Sequence, residues 1–95
     1  MSKKNPIHPG AILLEEFLKP HGISANKLAI ELRVPANRIS SIVNGSRAVS
    51  ADTALRLGKY FGTGAEFWLN LQKLHELEIA EAKHGAEIER IMAFN

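Results

Sequence analysis

Ninety-five residues, 45% hydrophobic and 23% charged, fit one small globular domain and exclude a mainly disordered chain. Cysteine is absent, which excludes disulfides, thiolate nucleophiles and thiolate metal sites and suits a reducing cytoplasm. The net charge of +2 is unevenly spread: residues 1–62 hold nine Lys/Arg against four acids, and residues 63–95 hold three against six. A basic front and an acidic back suit a nucleic-acid face and a separate second surface.

Turn residues divide the chain into short helical blocks, with no alternation long enough for a strand, so an all-α fold of five helices is predicted. Residues 1–7 contain no apolar run that opens a signal peptide or membrane span and are expected to form a flexible arm. The first helix is predicted over residues 9–19. Pro9 suits its first position, Ile12, Leu13 and Phe17 share a face, and Glu15 and Lys19 can pair at i,i+4. Pro20 and Gly22 are expected to end it. Ser24 caps a second helix reaching Leu32, with Leu28, Ala29 and Leu32 inward. Pro35 opens a third with Ile39, Ile42 and Val43 inward, stopped by Asn44-Gly45. Ser50 caps a fourth over residues 51–61.

The fifth block is the longest. Thr63 and Glu66 have capping-box spacing, and the helical pattern continues to Lys83. Phe67, Trp68, Leu71, Leu74, Leu77, Ile79 and Ala82 cover a much wider arc than the ~100° stripe that one core requires. The excess predicts two apolar contacts, one inside the domain and one with a partner chain, Phe67, Trp68, Leu71 and Leu74 being the expected dimer interface. Past His84-Gly85, the residues Ile88, Ile91 and Met92 are expected to form a separate short amphipathic turn. Residues 8–62 are thus a helix-turn-helix core and residues 63–95 a segment for dimerisation and packing.

Residues 24–47 have the layout by which one helix braces against DNA and the next enters the major groove. With Ile39, Ile42 and Val43 inward, Asn37, Ser41 and Asn44 point outward and Arg38 and Ser40 lie on the flanks. Asn can bridge an adenine edge, Arg a guanine edge, and Ser permits close approach. Lys27, Arg33, Lys59 and Ser46-Arg47 can supply phosphate contacts. A bundle helix with a solvated polar face fits the same helix pair about equally well.

Several segments resemble the HigA-type (VapI-like) antitoxins of the Cro/C1-repressor, or XRE, family: His8-Pro9-Gly10, Leu-Glu-Glu-Phe-Leu-Lys-Pro at 14–20, Gly22-Ile23-Ser24, Arg-Ile-Ser-Ser-Ile-Val-Asn-Gly at 38–45, Ala-Asp-Thr-Ala-Leu-Arg-Leu at 51–57 and Phe-Trp-Leu-Asn-Leu-Gln at 67–72. The resemblance implies a lambda-repressor-like domain that dimerises, binds a palindromic operator and silences its own operon. It also implies a small toxin partner of the HigB (RelE-like) ribonuclease class. It assigns base reading to Ala36, Asn37 and Arg38 and lets Arg47, in the following loop, reach a base or the backbone; Ser41, outward by angle, is expected to join the base readers with Arg47. Ser24, Asn26, Lys27, Ser40, Asn44 and Ser46 are expected at the DNA backbone. Ala25 and Ala36 depart from the polar residues that many relatives carry at those places.

Other chemistry is weakly supported. His75-Glu76 begins a zinc-protease pattern, but Ile79 stands where the second His belongs, so no metal and no cofactor are expected. Gly58, Gly62 and Gly64 lack a following Gly-Lys-Ser/Thr and suit close packing and a turn. No spacing suggests a catalytic triad, and an enzyme is not expected. A cytoplasmic, DNA-binding antitoxin and autorepressor is the leading reading. A standalone or phage-type regulator with no toxin is the alternative.

Overall fold

A computed structural model of the chain describes residues 6–94, and the expected arm of residues 1–7 lies mostly outside them. Five helices and no strand occur among the described residues. The first, α1, is continuous from Pro9 to His21 but changes gauge: α-helical Pro9–Ile12, π-helical Leu13–Leu18, then α-helical Lys19–His21. It therefore passes through Pro20 instead of ending there. Proline lacks an N–H and its ring presses on the carbonyl four residues back. The wider turn, in which the Lys19 N–H reaches back to the Leu14 carbonyl, accommodates the ring. Gly22, at φ 64°, then ends the helix, its N–H bonding Lys19 O and that of Ile23 bonding Leu18 O.

Helix α2 (Ala25–Leu32) starts at Ser24, whose Oγ accepts the Lys27 N–H at 3.0 Å. It ends with Arg33 at φ 63°, the one non-glycine left-handed residue among those described. Helix α3 (Ala36–Val43) follows after Pro35, and α4 (Ala51–Phe61) is capped by Ser50, whose Oγ accepts the Thr53 N–H. The last helix, α5 (Ala65–Glu89), begins after Gly64 without a side-chain cap, because the Thr63 hydroxyl donates to the Gly64 carbonyl. The expected Thr63/Glu66 capping box is therefore not formed. Nor is there a break at Gly85: one helix of 25 residues absorbs the separate turn expected near Ile88, while Ile91 and Met92 lie beyond its end.

Leu13, Leu18, Leu28, Ala29, Ile39, Ile42, Ala54, Leu57 and Trp68 form the core, each at most 2% exposed. Trp68 corrects the sequence reading, which placed it at a dimer interface. Its ring is enclosed within the chain, 5.0 Å from Phe17 and from Phe67 and 6.4 Å from Phe61 between centroids. The start of α5 lies on α1 and α4, so the inward part of the wide apolar arc belongs to Trp68. Phe67 is 38% and Leu74 54% exposed, with Leu71 half-buried.

Two glycines set helix spacing. A Cβ on Gly10 would overlap the Ile42 carbonyl, so α1 lies directly on the backbone of α3. One on Gly58 would overlap Gly64, fixing the turn into α5, as the close-packing reading of these glycines expects.

Candidate nucleic-acid interface

Helix α3 is held from beneath by Ile39 and Ile42, both fully buried, and by the close approach of α1 at Gly10. Its opposite side carries Ala36, Asn37, Ser40 and Asn44, all exposed, with Ser41 partly covered. Asn37 and Asn44 are exposed as the angular reading expects, whereas Ser41, expected outward, is partly covered and Ser40, expected on the flank, is exposed; the helix presents short polar side chains on a rigid support.

The loop after α3 is organised by its own polar groups. The Ser41 carbonyl accepts from the backbone N–H groups of Ser46 and Arg47, at 2.9 and 3.2 Å. Asn44 Oδ1 accepts from the Ser46 N–H at 3.0 Å and from its hydroxyl at 2.6 Å. The Asn44 carbonyl oxygen is thus used within the loop, and its amide N–H groups are the ones offered outward. Ser41, Asn44, Ser46 and Arg47 therefore form one unit continuous with α3. Farther along, the Val49 N–H donates to Gln72 Oε1 of α5 at 2.8 Å, in a buried contact. This tether was not foreseen, since Gln72 is only the last letter of a motif until α5 is folded against the loop.

Ser24, Asn26 and Lys27 share the first turn of α2 and are exposed. Ser24 spends an acceptor on its cap and keeps its O–H. Lys27 pairs with Glu31 at 3.2 Å, an exposed i,i+4 contact worth only ~0.3–0.5 kcal/mol and readily exchanged for a phosphate.

Arg38 is the least free of the expected readers. Its Nη1 donates to Asp52 Oδ2 at 2.6 Å, and Arg56 Nε donates to the same oxygen at 3.0 Å. Arg56 Nη1 in turn bonds Leu32 O at 2.8 Å. These hydrogen bonds from Arg56 and Arg38 hold the Asp52 carboxyl below the usual carboxylate range. On the other side of the loop stands His8, whose Nδ1 accepts the Gly10 N–H at 2.8 Å and whose ring meets that of His75 edge-on at 4.9 Å. Burial, then the charge of His75, lowers the His8 pKa, while the Arg47 carbonyl acts the other way.

Among the described residues no group of three or more His, Cys, Asp or Glu is placed to hold a metal ion. Among the described residues, too, no helix is long and apolar enough to cross a membrane.

Residues 14–68 match the helix-turn-helix family. Virulence-associated protein I of Dichelobacter nodosus is 55% identical over 79% of this chain and 69% of its own length. A HigA-family addiction-module antidote protein from Coxiella burnetii superposes with a TM-score of 0.90 at 49% identity, covering 96% of this chain and all of that one. The Pseudomonas aeruginosa antitoxin HigA, solved with the higBA promoter, gives 0.88 at 48% identity over 93% of this chain and 96% of that one.

Proposed function

Because the chain belongs to the helix-turn-helix family, a family of DNA-binding regulators and not of enzymes, and stands there beside the HigA-type antitoxins, we propose that it is a cytoplasmic antitoxin and autorepressor. It binds a palindromic operator as a homodimer and neutralises a HigB (RelE-like) mRNA-cleaving toxin by direct contact. The observation that carries the DNA part is the exposed polar side of α3, buttressed by Ile39 and Ile42 and extended by the Ser41–Ser46 loop. A relative 48% identical, solved with a promoter, supports it.

Asn37, Ser41 and Arg38 read base edges in the major groove, with Ala36 at close approach and Arg47 beside them. Ser24, Asn26, Lys27, Ser40, Asn44 and Ser46 hold phosphates. Operator symmetry requires a second copy, for which the apolar side of α5 is suited. Leu74, Leu77 and Ile88 are 54%, 60% and 50% exposed, and they line one shallow surface with Glu78, Ala80 and Glu81. Phe67 and Leu71 continue it towards the core. The acidic 63–95 segment complements a basic ribonuclease.

Titration of the protein against its own promoter fragment and a scrambled duplex, at three salt concentrations, tests the DNA reading. Asn37→Ala should cost about 1–3 kcal/mol on the promoter and much less on the scrambled duplex. Lys27→Ala should weaken both and flatten the salt dependence by about one unit of slope per monomer. Equal affinity of the unaltered protein for the two duplexes would remove the reading. Co-expression with the neighbouring reading frame tests the toxin: no complex and no suppression of RNA cleavage would leave a regulator without one.

A further inference from the structure

We propose that Asp52 is a positioning residue for specificity, and the inference rests on the DNA-binding reading of α3. From the first turn of α4 its carboxylate holds the Arg38 guanidinium, so that this arginine acts as a fixed reader of base edges and not as a mobile cation seeking phosphates.

Arg38 has the longest side chain on α3. An arginine there can reach several phosphates as well as a base, and a phosphate contact carries no sequence information. Here its Nη1 is fixed 2.6 Å from Asp52 Oδ2, with the arginine side chain 28% and the aspartate 54% exposed. Asp52 is itself anchored, because Arg56 Nε meets the same oxygen at 3.0 Å. Arg56 is anchored in turn by the Leu32 carbonyl at 2.8 Å, at the end of α2. Four groups on three helices thus form one chain of contacts across the helix-turn-helix.

This chain leaves most of the guanidinium available. Of five N–H donors, one is given to Asp52, and the rest suffice for a two-point contact with guanine O6 and N7. Fixing the side chain beforehand lowers the ordering cost of binding the correct base. An exposed carboxylate beside a polyanion is unfavourable by itself. Between Arg38 and Arg56 it becomes part of a cluster of net charge +1, and its negative charge offsets the pull of Arg38 towards arbitrary phosphates.

The test is a set of titrations of Asp52→Asn, Arg38→Ala and the double variant, against the protein's own promoter fragment and a scrambled duplex. Asp52→Asn should bind the scrambled duplex several-fold more tightly and the promoter more weakly, lowering the ratio about tenfold. It should also steepen the salt dependence by about one unit per monomer. On the Arg38→Ala background the same change should leave the ratio unaltered, and Asp52→Glu, which keeps the charge, should recover part of it. Thermal melts show whether each variant is folded at the binding temperature; if Asp52→Asn is not, Asp52→Ser replaces it. An unchanged ratio for the folded variant, or an equal fall without Arg38, overturns the role of Asp52. Failure of the unaltered protein to distinguish the duplexes overturns the DNA reading instead.

Discussion

Replacing Gln72 by leucine isolates the tether between α5 and the loop after α3. Gln72 is 7% exposed, and Val49, whose N–H donates to Gln72 Oε1 at 2.8 Å, is 3% exposed. Leucine fills nearly the same volume but leaves that donor buried without an acceptor. An unsatisfied buried donor costs about 1–3 kcal/mol, the larger part of the expected loss. The second bond, from Gln72 Nε2 to Glu76 Oε2 at 2.9 Å, ends on an exposed carboxylate and adds little. A loss of about 2 kcal/mol lowers the Tm of a domain this size by roughly 8–16 °C. Circular dichroism at 222 nm during heating gives the shift, at one protein concentration because association also moves Tm. Glu76→Gln is the control and should melt within a few degrees of the unaltered chain. A Gln72→Leu variant with unchanged Tm would show that the Val49 N–H finds another acceptor and that the loop does not depend on α5.

Further expectations concern other parts of the molecule. Trp68→Ala, in the core, should cost about 3–5 kcal/mol, whereas Leu77→Glu should spare the core, lower helix content only in the exposed part of α5 and halve the mass in sedimentation; a mass unaffected by Leu77→Glu would place the interface elsewhere. His8 has a folded-state pKa below the usual value of about 6.5, so the folded chain binds fewer protons than the unfolded one just below that pH. Stability should therefore fall as pH drops from about 6.5 through the depressed value. His8→Asn, which retains a capping acceptor, should flatten urea-unfolding midpoints between pH 7.5 and 5, and an unchanged slope would exclude His8 as the source. Arg33→Gly should relieve the left-handed backbone at φ 63° and raise stability by up to about 1 kcal/mol. A lower Tm would mean that the arginine side chain contributes more than its backbone costs.

The helix count and most inward faces were legible because they depend on local periodicity and on caps such as Ser24 and Ser50, whose hydroxyls accept the expected N–H groups. Boundaries failed where a longer-range or subtler factor decides them. Pro20 is tolerated through the π turn, which no spacing rule signals, and Gly85 does not interrupt α5. Which part of the wide arc faces inward could not be read from α5 alone: Phe17 on α1 and Phe61 on α4 draw Trp68 into the core. The polar side of α3 was visible as an angular pattern. The restraint on Arg38 was not, because Asp52 lies fourteen residues away and on another helix. Gly10 shows the same limit, since its need for close approach depends on a carbonyl of α3.

Beyond Gln72, α5 has only half-buried His75 and Gly85 to interrupt an otherwise exposed course to Glu89. About 25 Å of helix thus receives almost no support from its own domain. In the proposed homodimer, packing against a second copy would stabilise that stretch, making helix order there a function of protein concentration. Below the dimerisation constant of that proposed homodimer, the population of two-headed, operator-competent species would rise as the square of the amount synthesised. A gene repressed by such a dimer would be released abruptly as its protein is diluted or degraded, and the overhang of one helix would act as a gauge of abundance.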